Sequence, residues 1–164
     1  MALLDEQLVE EWLNRNHFFT MRGIKCGVDE IDLLAIRHTE KKNEYWHVEV
    51  QVSYRPIGYI GGDTNARKRT SEEIESGVEQ WVTKKFTSDK KKERRNEFCP
   101  NAKWRYLFVH GELKDEMELE YMKSRGIELM PYKTILKDLR DSKNKFSSSV
   151  ASNIADMLQY LRDE

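Results

Sequence analysis

EIDLLAIRHTEKKNEYWHVEVQVS, residues 30–53, reads as two strands and the turn between them. Its second half, YWHVEVQVS at 45–53, alternates with period two. Val48, Val50 and Val52 fall on one side; His47, Glu49, Gln51 and Ser53 fall on the other. Its first half, EIDLLAIR at 30–37, is apolar on both sides after its start, the pattern of a buried central strand. HTEKKN at 38–43 is a polar connector of hairpin length. A hairpin symmetric about it joins Arg37 to Glu44, Leu34 to His47, Asp32 to Glu49 and Glu30 to Gln51. Opposed residues share a face, with Cβ atoms about 4.5–5.5 Å apart, so Asp32 and Glu49 stand side by side. Two like charges so placed destabilise a sheet, and burial adds to the cost. Either one carboxylate takes up a proton or a cation sits between them, and carboxylate oxygens select Mg²⁺, Mn²⁺ or Ca²⁺. A strand face turned to water accounts for residues 45–53 alone. It would strand Leu34 and Ile36 in solvent beside Asp32, so the two strands together favour a metal site.

Working outward, Leu4, Leu8, Trp12 and Leu13 follow helical spacing and predict a helix over about 5–15, with Asp5 as N-cap. HFFTMRGIK (17–25) is a first strand, ended by Gly27. Residues 54–69 hold four Gly or Pro and form a loop. Thr70 and Glu73 make a capping box ahead of a helix with an apolar stripe of Ile74, Val78, Trp81, Val82 and Phe86. A basic loop leads to the strand WRYLFVH (104–110). A helix at about 114–124, a short strand at 127–130 and a helix after Pro131 follow. SKNKFSSS (142–149) is linker-like. The last helix, about 149–162, carries Val150, Ile154, Met157, Leu158 and Leu161 on one side, facing either the chain's own core or a partner, a second copy included. The order α-β-β-β-α-β-α-β-α-α is an α/β arrangement around a mixed sheet. All of it reads as one domain, 1–164, with a core over about 4–131 and a helical extension over about 132–164.

The 164 residues are 38% hydrophobic and 35% charged, the composition of a globular chain rather than a disordered one. No apolar run reaches the length of a membrane span, and the start lacks the basic-then-apolar pattern of a signal peptide. Cys26 and Cys99 stand far apart with no CxxC spacing, which suggests free thiols in a cytoplasmic protein and no zinc site. The net charge is −1, but residues 84–95, KKFTSDKKKERR, carry seven bases and two acids. Such a run fits either a basic patch for a polyanion or a solvated surface segment. No GxGxxG, P-loop or GxSxG motif is present, so a nucleotide-binding enzyme or serine hydrolase finds no support.

"EIDLLAI…HVEVQ", preceded by EQLVEEWLNRNHFF, resembles the core of the PD-(D/E)XK nuclease superfamily, and more closely its Holliday-junction-resolvase-like and YraN-like branches. The resemblance spans about residues 4–110. It implies a restriction-endonuclease-like α-β-β-β-α-β core with a central mixed sheet flanked by helices. It also implies metal-dependent hydrolysis of phosphodiester bonds in nucleic acid, DNA in the first instance. Asp32 and Glu49 would bind Mg²⁺ or Mn²⁺, with the Val50 carbonyl as a further ligand. Glu6, or Glu10 one turn on, would match the family's helix-one Glu. Where the pattern has Lys, this chain has Gln51, which can hydrogen-bond a water but supplies no positive charge. Lys84 and Lys85 on the following helix are candidates to replace that charge, and Gln80 is a candidate water or phosphate contact. His47 is either a proton-transfer group or a structural histidine. Arg67, Lys68, Arg69, Lys90, Lys91, Lys92, Arg94 and Arg95 are expected to contact the phosphate backbone, with Tyr54 and Arg55 lining the cleft. The alternative is a catalytically degenerate module that binds nucleic acid or a protein partner.

Overall fold

A computed structural model describes residues 3–55, 58–61, 67–143 and 149–163. Helix α1 (Leu3–Arg15) precedes three antiparallel strands, β1 (Phe19–Cys26), β2 (Asp29–His38) and β3 (Asn43–Gln51). Helix α2 (Ser71–Val82), a π-helical turn (Thr83–Thr87) and α3 (Asp89–Phe98) cross over to β4 (Trp104–His110). Helix α4 (Met117–Ser124) crosses to β5 (Ile127–Pro131), and α5 (Tyr132–Asp141) and α6 (Val150–Tyr160) follow. The strands form one sheet in sequence order; β3, β4 and β5 are parallel. The expected α/β class and mixed sheet are the observed ones.

The hairpin register is the one the symmetric connector predicts: Arg37 opposes Glu44 and Leu34 opposes His47. The ladder stops at Leu33–Val48, one step short of Asp32 and Glu49. There the Asp32 carboxylate intervenes and accepts the Val50 N–H at 2.8 Å. Val48 and Val50 pack with Leu33, Ala35, Leu107 and Val109 beneath α1, α5 and α6. Phe108 faces the opposite layer, with Trp81, Phe86 and Met122 from α2, the π turn and α4. The capping box is present: the Thr70 hydroxyl accepts from Glu73 N, and the Glu73 carboxylate accepts from Thr70 N.

Four expectations need correction. Asp5, the expected N-cap, lies inside the first turn of α1, which begins at Leu3. Beyond Phe86 the expected basic loop is largely helix: after extended Ser88, α3 runs over Asp89–Phe98, and Lys91 and Arg95 point inward at 2% and 3% exposure. A ten-residue segment with almost no apolar residues gives no hydrophobic period to read. Helix α4 begins at Met117 because the Asp115 carboxylate accepts the Met117 N–H and holds a turn ahead of it. Helix α6 buries its small residues, Ala151, Ser152 and Ala155, and leaves Val150, Met157 and Leu161 exposed. Small side chains let it lie close to α1 and α5; of the expected apolar stripe Ile154 packs against the core, while Val150, Met157 and Leu161 do not. Residues 144–148 of the linker-like stretch lie outside the described residues.

The segment 58–61 is fastened to this layer. The buried Glu118 carboxylate on α4 accepts the N–H groups of Ile60 and Gly61 at 2.8–2.9 Å. A Cβ at Gly61 would lie 2.5 Å from the Gly77 carbonyl oxygen of α2. That neighbour is backbone and cannot yield cheaply, so Gly61→Ala should destabilise by about 1–3 kcal/mol. A thermal melt of the variant should fall by several degrees; an unchanged melt would show that the segment does not pack this way.

Candidate functional site

The carboxylates of Asp32 and Glu49 meet where the β2–β3 ladder ends. Both are buried, Asp32 at 9% and Glu49 at 1% exposure. Glu49 is surrounded by nitrogen donors. Lys85 from the π turn donates to Oε2 at 2.9 Å, Lys91 from α3 to Oε1 at 3.0 Å, and the His47 imidazole Nε2 lies 2.8 Å from Oε1. Lys91 also donates to the Lys85 carbonyl at 2.9 Å, tying α3 to the π turn. Lys85 is the half-buried member, with 28% of its side chain exposed, and Lys91 the enclosed one.

Asp32 is held at a pKa of about 6, because burial disfavours its charge and Glu49 repels it; Lys85 and the Val50 N–H oppose the rise. Glu6 at the start of α1 is raised to about 7 by burial and by the charges of Asp32 and Glu30. Thus Glu6, Asp32 and Glu49 form one electrostatically coupled set. Lys85 goes up, since the pull of Glu49 and Asp32 outweighs its burial. His47 goes well down, through burial and the nearby Arg95, Lys91 and Lys85 charges, so its ring is neutral.

The resemblance implies a divalent cation here. Among the described residues no three His, Cys, Asp or Glu side chains converge as a ready-made cage. The donor set nevertheless suits a hard cation. Asp32 and Glu6 are carboxyls pushed towards neutrality first by burial, then by neighbouring carboxylates, Glu49 for Asp32 and Asp32 and Glu30 for Glu6, a crowding of negative charge that a divalent ion would relieve. They would hold it, with Glu49 contributing Oε2, the oxygen that carries a single donor.

The other candidates separate cleanly. Glu10 is engaged elsewhere, accepting from Thr20 and Arg22 at 3.0 Å, so Glu6 is the helix-one Glu that faces the pair. Val50 meets Asp32 through its N–H, and its side chain lies in the core layer. Gln51 follows Glu49 on the same side and opposes His110 on β4. Lys84 and Gln80 are exposed and line a groove of about 790 Å³ with Arg67, Arg69 and Trp81, away from Glu49. Of the basic residues, Lys68, Lys90 and Lys92 are exposed. Arg67 pairs with Glu73, and Arg69 lies over the Tyr59 ring and donates to Gly61 O. Arg94 binds Lys25 O and Glu97. Tyr54 donates to Asp5 at 2.9 Å, and Arg55 is exposed beside it. Lys91 and Arg95 are too buried to reach a phosphate backbone, which corrects the expectation for both.

Sequence reasoning missed the internal role of Lys91 and Arg95. A charged residue every fourth position within a basic helix is the usual face of a solvated surface, and the only hint was the four-residue spacing itself.

No family model matches the chain, and no curated protein matches it. A solved structure titled "Crystal Structure of Protein of Unknown Function AF1548" is similar at 14% identity, over 94% of this chain and 78% of that one, with a TM-score of 0.48. At that level the likeness bears on neither fold family nor function.

Proposed function

We propose that this chain is a metal-dependent nuclease that hydrolyses phosphodiester bonds in DNA. The observation that carries the reading is Lys85, which reaches Glu49 from the helical segment after β3 and brings an ammonium group to a buried carboxylate pair. Gln51 leaves the motif without its lysine, and Lys85 restores a positive charge at the same carboxylate. A divalent cation, when bound, supplies charge at the scissile phosphate and makes a water more acidic. Asp32 and Glu6 would hold that ion, and Glu49 accepts from the ammonium groups of Lys85 and Lys91. Lys85 faces the developing phosphate charge, as preorganised cations do in phosphoryl-transfer sites. Gln51, an amide donor and acceptor, orients the attacking water. The exposed Lys68, Lys90 and Lys92 hold the backbone of the substrate and make affinity salt-dependent.

A second reading has one observation in its favour: every oxygen of Glu49 already has a donor. A site so neutralised suits a module that binds nucleic acid, or docks a protein through the exposed Met157, Tyr160 and Leu161, without cutting. Incubation with plasmid and branched DNA at low salt, with Mg²⁺ or Mn²⁺, separates the two. Metal-dependent cleavage lost in Asp32→Ala and Glu49→Ala supports the enzyme. Binding without cleavage supports the module.

A further inference from the structure

We infer that Arg95 is a positioning residue for Glu49, acting through the tautomer of His47; as a role in catalysis this rests on the nuclease reading above. The guanidinium Nη1 lies 2.7 Å from His47 Nδ1 and 2.8 Å from the Phe86 carbonyl, and Nη2 donates to the Tyr106 hydroxyl at 3.1 Å. A guanidinium can only donate. His47 Nδ1 is therefore the acceptor and carries no proton, which leaves the ring's N–H at Nε2. That proton points at Glu49 Oε1, 2.8 Å away.

The consequences run outward from α3 to the carboxylate. The imidazole is fully buried beside Phe86 and Tyr106, at ring-centroid distances of 4.8 and 6.0 Å. With Lys91 it gives Oε1 two donors, which fixes the carboxylate plane. Oε2 is left with Lys85 as its donor. The opposite tautomer would aim a bare Nε2 at a carboxylate oxygen, two acceptors in contact without a proton. Arg95 touches none of the three carboxylates, yet it decides which oxygen of Glu49 is available. A hydrogen-bonded partner behind a functional side chain typically changes activity by about 10–100-fold when removed.

The test is a long-range ¹H–¹⁵N spectrum of the imidazole nitrogens, with cleavage kinetics, on the wild type, Arg95→Met and Arg95→Lys. The wild type should show His47 neutral with its proton on Nε2. Arg95→Met should give a mixed-tautomer or imidazolium spectrum. Its kcat should fall about 10–100-fold with KM and the salt dependence of binding unchanged. Arg95→Lys, which keeps one donor, should fall between and guards against a variant that does not fold. A wild-type proton on Nδ1 overturns the inference, as does an unchanged kcat in both variants. A changed salt slope would make Arg95 a phosphate contact and overturn it too. If the wild type does not cleave DNA, the nuclease reading fails. The spectra still decide whether Arg95 sets the tautomer.

Discussion

Asp32→Asn should melt several degrees above the wild type at pH 8 in chelator, and cut no DNA. The ordinary Asp pKa of 3.8 rises here to about 6. A carboxyl raised in this way stabilises the fold below its ordinary pKa and loses that contribution as pH rises through the folded value. At pH 8 the folded protein therefore holds an ionised Asp32 at a cost of about 3 kcal/mol, from roughly two pKa units. Asparagine removes the charge and keeps the geometry: its carbonyl oxygen accepts the Val50 N–H and its amide can donate towards Glu49. The recovered stability should be about 1–3 kcal/mol, or several degrees in a chain of this length. It should shrink to nothing by about pH 4, where the wild-type Asp32 is itself protonated. His47 and Glu118 also titrate differently in the fold, in opposite directions, but both are common to the two proteins and cancel in the difference, whereas Glu6, raised in part by the Asp32 charge, is relieved by the substitution and adds to the gain at pH 8.

Glu49→Gln should lose cleavage equally and lose stability as well. It leaves Lys91, 2% exposed, without its carboxylate, and removing one partner of a buried ion pair costs about 3–5 kcal/mol. The two acidic residues thus have opposite thermal signatures. Melts of both variants, with and without Mg²⁺, read this directly. A destabilised Asp32→Asn would mean that the pair is not strained.

Lys85→Met should lower cleavage by about 10²–10³-fold, the usual cost of removing one charge-stabilising group. Lys84→Met should change it only a few-fold, in KM. The two side chains are neighbours in sequence, yet Lys84 is exposed in the groove with Gln80, and Lys85 reaches Glu49. Methionine keeps the length and apolar stem of lysine, so the loss reports the charge. Equal effects would remove Lys85 from the site and favour the binding module. A fold control is available, since Lys91 still pairs with Glu49 in both variants.

Much of this geometry was legible in residues 30–53. The polar connector set the register, the register set Asp32 beside Glu49, and the alternation set which side chains share a face. Both the period of two and the hairpin symmetry are local properties of the chain. Helix α2 was equally readable, through Thr70 and Glu73. What could not be read was long-range. Lys91 lies 42 residues from Glu49 and Arg95 48 residues from His47. Neither has an apolar neighbour pattern to betray its inward turn. The resemblance put Glu6 first with Glu10 as the alternative, and the sheet separates them by giving Glu10 to Thr20 and Arg22.

The π-helical turn at Thr83–Thr87 closes the helical run that begins with α2, since Ser88 behind it is extended. An α-helix advances roughly 100° per residue and a π turn winds wider, so the length of this turn sets which side chain leaves it towards Glu49. Deleting one residue between 83 and 87 would change that angle and take Lys85 off the carboxylate.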